Sequence, residues 1–143
     1  MLHDLYNDGL SWMDRSETTP AALPVRLYQE GGYDVYIGNK RGTAASRTHE
    51  TLDADVDADY WNWSIDEVGM YDIPAMINKI MQVRADEGLP AQKVTVVTNS
   101  VSSGEALITL SSYPTSADAN IGQLVATAPC LVPTVMAVLG GFG

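Results

Sequence analysis

Val94-Thr95-Val96-Val97-Thr98-Asn99-Ser100-Val101-Ser102 is the stretch on which the fold turns. Its first four residues are all β-branched and follow Lys93, so Val94 to Val97 reads as a buried strand. The polar turn Thr98-Asn99-Ser100 comes next, and a helix over Gly104 to Ser111 is expected directly behind it. A strand that passes through a polar turn holding a serine and opens at once into a helix is the setting in which tight backbone geometry exposes a nucleophilic hydroxyl.

Working outward, Tyr33 to Ile37 (YDVYI) lies between Gly31-Gly32 and Gly38-Asn39 and predicts a second buried strand. Pro20 to Glu30 before it reads helical, with Thr18-Thr19 as the N-cap region and Gly31-Gly32 as the stop. Arg41 to Asp59 is polar and irregular. Trp61, Trp63, Ile65 and Val68 then begin an apolar block that reads as core. Asp72 to Ala85 continues it as a helix, because Ile73, Met76, Ile77, Ile80 and Met81 recur at spacings of three and four and fall on one stripe. Gly88-Leu89-Pro90 ends that helix, and Leu124 to Ala128 supplies a third strand before Pro129. Strands alternating with helices predict an α/β fold, a parallel sheet flanked by helices, in a single domain over residues 1–143.

Composition narrows the function. The 143 residues carry 18 carboxylates against 8 Lys plus Arg, a net charge of −10. Binding a polyanion requires Lys or Arg to replace counterions at each phosphate, so nucleic acid is excluded as a partner. The apolar run Leu131 to Leu139 contains Pro133 and is far shorter than a bilayer requires, so no transmembrane segment is expected. Met1 to Leu10 shows no basic stretch followed by an apolar core, so no signal peptide is read there. The single cysteine, Cys130, makes neither an internal disulfide nor a cysteine zinc site, and with no basic neighbour it reads as a buried, inert thiol. Asp53, Asp55, Asp57 and Asp59 alternate like calcium ligands, but Ala58 stands where the calcium loop needs glycine and Ser64 where it needs glutamate. They read as a solvated acidic loop, His49 beside Glu50 as a surface histidine, and no cofactor or metal is expected.

Four segments, in order, resemble the acid lipase family of α/β hydrolases, the gastric and lysosomal type. His3-Asp4-Leu5, with Trp12 beyond it, is similar to the family's His-Gly-Leu loop. Gly32 to Gly42 (GYDVYIGNKRG), followed by Ser46-Arg47-Thr48-His49, is similar to its GYDVWLGNxRG and SRxH signature. Tyr60 to Val68 and Tyr71 to Asn78 follow its FWxFSxDEM and YDLPAxIN patterns, and Val125 to Pro129 its ALAP segment. The resemblance implies hydrolysis of a neutral lipid carboxylic ester, a triacylglycerol or steryl ester, in a secreted or lysosomal setting. It also implies Ser100 as nucleophile and the backbone amides of Leu5 and Val101 as the oxyanion hole. Asp66, Glu67 and Asp72 match family positions near a helix start, where carboxylates complement the dipole, and Arg41 is expected to pair with Asp66 or Glu67.

The departures bear on activity. Where the family elbow reads Gly-His-Ser-x-Gly, Thr98 and Ser102 replace the two glycines, and Asp4 replaces the glycine of the oxyanion loop, setting a carboxylate beside the developing negative charge. His3 and His49 both precede Ser100, so the acid and base that follow the nucleophile in this fold are absent from these residues. The chain therefore reads as a partial α/β-hydrolase fold lacking its first strands, cap and last strands. It is expected to be either a segment completed by further chain or a subunit completed by a protein partner, and inactive by itself. The alternative reading is a catalytically inactive, hydrolase-derived structural or interaction subunit. The apolar tail Leu131 to Phe142 adds to the expectation of a covering partner or continuation.

Overall fold

The structure, a computed structural model, describes residues 1–14 and 21–131. The expected Thr18-Thr19-Pro20 helix start and the tail beyond Leu131 lie outside the described residues. Two strands pair in parallel, β1 (Val94–Asn99) and β2 (Ile121–Thr127), in a register running from Thr95 opposite Gln123 to Asn99 opposite Thr127. Between them the chain forms α4 (Ser102–Ser112) and α5 (Pro114–Asn120). Ahead of them stand α1 (Leu23–Gly31), α2 (Ile65–Glu67) and α3 (Ile73–Asp86), the last two joined by a π-helical turn, Val68–Asp72. The α/β class read from the alternation is what forms.

The predicted strand at Tyr33 to Ile37 does not form as a strand. Among the described residues the segment joins the sheet through Met1 and Leu2, with a single bridge from Gly38 to Leu2. That contact still sets the strand order. The Leu2 amide donates to Val97 O at 2.8 Å and its carbonyl accepts from the Asn99 amide at 3.3 Å. On the other edge the Gly38 amide donates to Met1 O at 3.0 Å, and the Met1 amine donates to Tyr36 O at 2.7 Å. Residues 36–38, residues 1–2, β1 and β2 thus lie side by side, all parallel.

The helices form where their caps and stripes dictate. Ser64 and Glu67 make a reciprocal capping box, which satisfies the first amides of α2. Gly32, at φ 65°, closes α1, and Gly88, at φ 70°, follows α3, both in the left-handed region that glycine enters without cost. The stripe on α3 does pack inward: Ile73 and Ile77 join Leu2, Val96 and Ala106 in the buried core, with Met76 and Met81 against it. Burying a side chain the size of Ile73 stabilises by about 1.5–3 kcal/mol. Trp61 corrects an expectation, since it is 45% exposed and leaves the core to pack with Trp63 over Gly42. Arg41 likewise pairs with Asp72, its guanidinium 2.6 Å and its amide 2.9 Å from the two carboxylate oxygens, rather than with Asp66 or Glu67. Glu67 is already committed to the Ser64 cap. Cys130 is half-buried.

The π turn presses against α4. Gly69 is buried there, and the Thr109 hydroxyl donates to its carbonyl at 2.6 Å. A Cβ on Gly69 would stand 2.6 Å from Glu105 O and 2.7 Å from Ile108 Cβ, so the two helices touch only because this residue has no side chain. Gly69→Ala is expected to lower stability by about 1–3 kcal/mol in urea unfolding through overpacking. An unchanged midpoint would show that the helices separate freely.

Candidate active site

β1 ends at Asn99, and Ser100 adopts φ 56°, a left-handed conformation that a non-glycine residue holds only when its surroundings fix it. Here the surroundings do so. The Ser100 amide donates to Thr127 O at 3.0 Å, while its carbonyl accepts from the Ser103 amide at 3.1 Å and the Cys130 amide at 3.1 Å. The serine thus stands on a sharp strand-to-helix turn, and among the described residues no hydrogen bond engages its hydroxyl. Val101, next in sequence, precedes the first turn of α4, where amides lack helical acceptors. The predicted helix therefore begins two residues earlier than expected, at Ser102.

The residues that replace the expected glycines are held by hydrogen bonds. Thr98 is fully buried, with its hydroxyl 3.0 Å from the Ser103 hydroxyl. Ser102, also fully buried, donates to His3 O and accepts from Lys40 Nζ at 3.0 Å. Lys40 Nζ also donates to both carboxylate oxygens of Glu105, at 3.2 and 3.1 Å. Lys40 is 6% exposed and Glu105 2%. Burial pushes the Glu105 carboxyl upward, and the Lys40 charge and hydrogen bond oppose it. This ion pair lies behind the elbow and makes no hydrogen bond to the Ser100 hydroxyl.

The loop His3-Asp4-Leu5 docks on the same network. The Lys40 amide donates to His3 Nε2 at 3.2 Å, which leaves Nδ1 as the protonated nitrogen, 2.8 Å from Asp4 O. Burial pushes His3 below its ordinary value, against the raising effect of that Asp4 bond, so the ring is neutral as the bonding requires. The Leu5 amide donates to its own neighbour, Asp4 Oδ1, at 2.6 Å. Leu2 bridges Thr98 in parallel, so Leu5 on one side and Ser100 and Val101 on the other follow neighbouring segments past the carboxyl end of β1. His49 stands elsewhere, exposed in the loop before Tyr60, where its Nδ1 accepts from the Thr51 and Leu52 amides. Among the described residues no group of His, Cys, Asp or Glu side chains could hold a metal, and the acidic loop at Asp53 to Asp59 is no exception.

Lys40 and Glu105 are the residues that sequence reading missed. Lys40 occupies the unspecified position of the GNxRG pattern, and Glu105 reads as an ordinary first-turn carboxylate. A lysine and a glutamate 65 positions apart give no local signal of pairing. Lys40→Met is expected to cost about 3–5 kcal/mol in urea unfolding, because it strands a buried carboxylate, and the double variant Lys40→Met/Glu105→Leu is expected to recover most of that loss. A single variant as stable as the parent would show that the pair is solvated.

Comparison with known proteins gives the kinship. The chain is 37% identical over 89 residues to the lipase lipl-3 of Caenorhabditis elegans, covering 62% of the chain and 21% of that protein. It is 35% identical over 133 residues to triacylglycerol lipase 2 of Arabidopsis thaliana, covering 92% of the chain and 28% of that lipase. With lipase 1 of Drosophila melanogaster the identity is 47% over 57 residues, covering 40% of the chain and 13% of that protein. No family model matches the chain. No solved structure matches it either. The chain spans between about a fifth and little more than a quarter of the length of the first two relatives. By sequence it is a lipase-like segment, similar to a stretch of these lipases, and its helices and parallel strand pair are compatible with a partial α/β fold.

Proposed function

We propose that these residues carry the nucleophile elbow and oxyanion loop of a serine ester hydrolase acting on neutral lipid carboxylic esters, a triacylglycerol or steryl ester. The observation that carries the reading is the left-handed Ser100 between β1 and α4, its hydroxyl without a hydrogen bond among the described residues and its backbone fixed on three hydrogen bonds. In that role the Ser100 hydroxyl oxygen attacks the acyl carbon, the alcohol leaves, and water then releases the acid from the acyl-serine. The Val101 amide serves the oxygen on which charge develops, and the Leu5 amide joins it only when Asp4 releases it.

A serine hydroxyl needs a general base to be a competent nucleophile at neutral pH. His3 is committed at both ring nitrogens and His49 is held by two loop amides, so neither fills that place. In this proposal the base and its orienting carboxylate come from further chain or from a partner subunit that also extends the sheet. The second reading is a non-catalytic, hydrolase-derived structural subunit. One observation favours it: the Leu5 amide is already taken by Asp4.

Active-site labelling separates the two. In the complete native assembly, a fluorophosphonate probe is expected to attach to Ser100, with labelling abolished in Ser100→Ala. Absence of label on the intact assembly would leave the structural reading in place.

A further inference from the structure

We infer that Asp4 is an internal oxyanion mimic, a carboxylate that holds the Leu5 amide and keeps that donor from an incoming substrate. The inference rests on the proposed assignment of the Leu5 amide to the oxyanion hole. The contact itself is short and charge-assisted: Leu5 N to Asp4 Oδ1 is 2.6 Å. An oxyanion donor works because it is preorganised toward the place where charge develops. A donor that already points at a carboxylate is organised toward the wrong anion, and the carboxylate also repels any second negative charge brought beside it.

The surrounding loop fixes this arrangement. On one side of Asp4, the buried His3 is held by Ser102 through its carbonyl and by the Lys40 amide through its ring. The Asp4 carbonyl is itself engaged by His3 Nδ1 at 2.8 Å. On the other side, Tyr6 adopts φ 61° and is 85% exposed. With main-chain bonds fixing the loop before it, the Asp4 side chain needs only its own torsions to fold back onto the next amide. A glycine at this position has no such group, so the Leu5 amide would stand open.

Two measurements on the 143-residue chain and on the complete assembly test the inference together. In the chain, the Leu5 amide resonance is expected to lie downfield, to shift as Asp4 titrates, and to lose that pH response in Asp4→Asn. In the assembly, fluorophosphonate labelling of Ser100 is expected to accelerate in Asp4→Gly by on the order of 100-fold, the effect of restoring one oxyanion donor. A Leu5 amide that ignores Asp4 in both the parent and Asp4→Asn overturns the inference, whatever the labelling does. An unchanged labelling rate in an assembly that does label overturns it as well. If the Leu5 resonance follows Asp4 while neither parent nor Asp4→Gly labels, the carboxylate does hold the donor, and it is the Ser100 assignment that has failed.

Discussion

Leu2 is hydrogen-bonded into β1 through both its amide and its carbonyl, while Met1 beside it binds the segment at residues 36–38. These few bonds set the spatial relation of all the parts that bear on chemistry. Without them the extended segment after α1 would have no partner in the sheet, and His3-Asp4-Leu5 would have no fixed position relative to the turn at Ser100. Backbone pairing is directional, so one residue held in register is enough to aim the loop that follows it. The cost of leaving such buried groups unpaired, about 1–3 kcal/mol each, is what makes the register specific.

Behind the elbow, polar bonding takes over the work that small residues do in the lipase pattern. Thr98 and Ser102 each bring a hydroxyl into a fully buried position, and each hydroxyl finds a partner: Ser103 for Thr98, Lys40 and His3 O for Ser102. Lys40 and Glu105 complete the arrangement as a buried ion pair. Such a pair adds little net stability compared with an apolar core of the same shape, but it penalises any packing that separates its members. The outcome is a sharp strand-to-helix turn with Ser100 in the left-handed region and the Leu5 amide satisfied within its own loop.

The sequence made the alternation of helix and strand, the α3 stripe and the strand-to-helix turn at Ser100 legible because each is a local pattern: periodicity of apolar residues, a run of β-branched residues, a serine between strand and helix. Glycine stops at Gly32 and Gly88 were readable for the same reason. What was not legible depends on partners far along the chain. Tyr33 to Ile37 has strand composition, yet a ladder depends on a neighbour that local composition does not reveal, and the pairing formed is the bridge from Gly38 to Leu2. Residue type points Trp61 and Trp63 to the core, yet Trp61 is 45% exposed and both indoles stand over Gly42, a contact that residue type does not reveal. Arg41 chose Asp72 because Glu67 was already occupied by its cap, a competition that motif matching does not reveal.

The account rests on Ser100 being held in the left-handed region by the elbow. The most direct test compares the unfolding free energies of Ser100→Gly and Ser100→Ala in urea. Glycine escapes the left-handed penalty of roughly 1–2 kcal/mol and gives back part of it as unfolded-state entropy. Ser100→Gly is therefore predicted to be the more stable by about 0.5–1 kcal/mol. If Ser100→Ala is instead the more stable of the two, the residue sits at negative φ and the elbow does not exist.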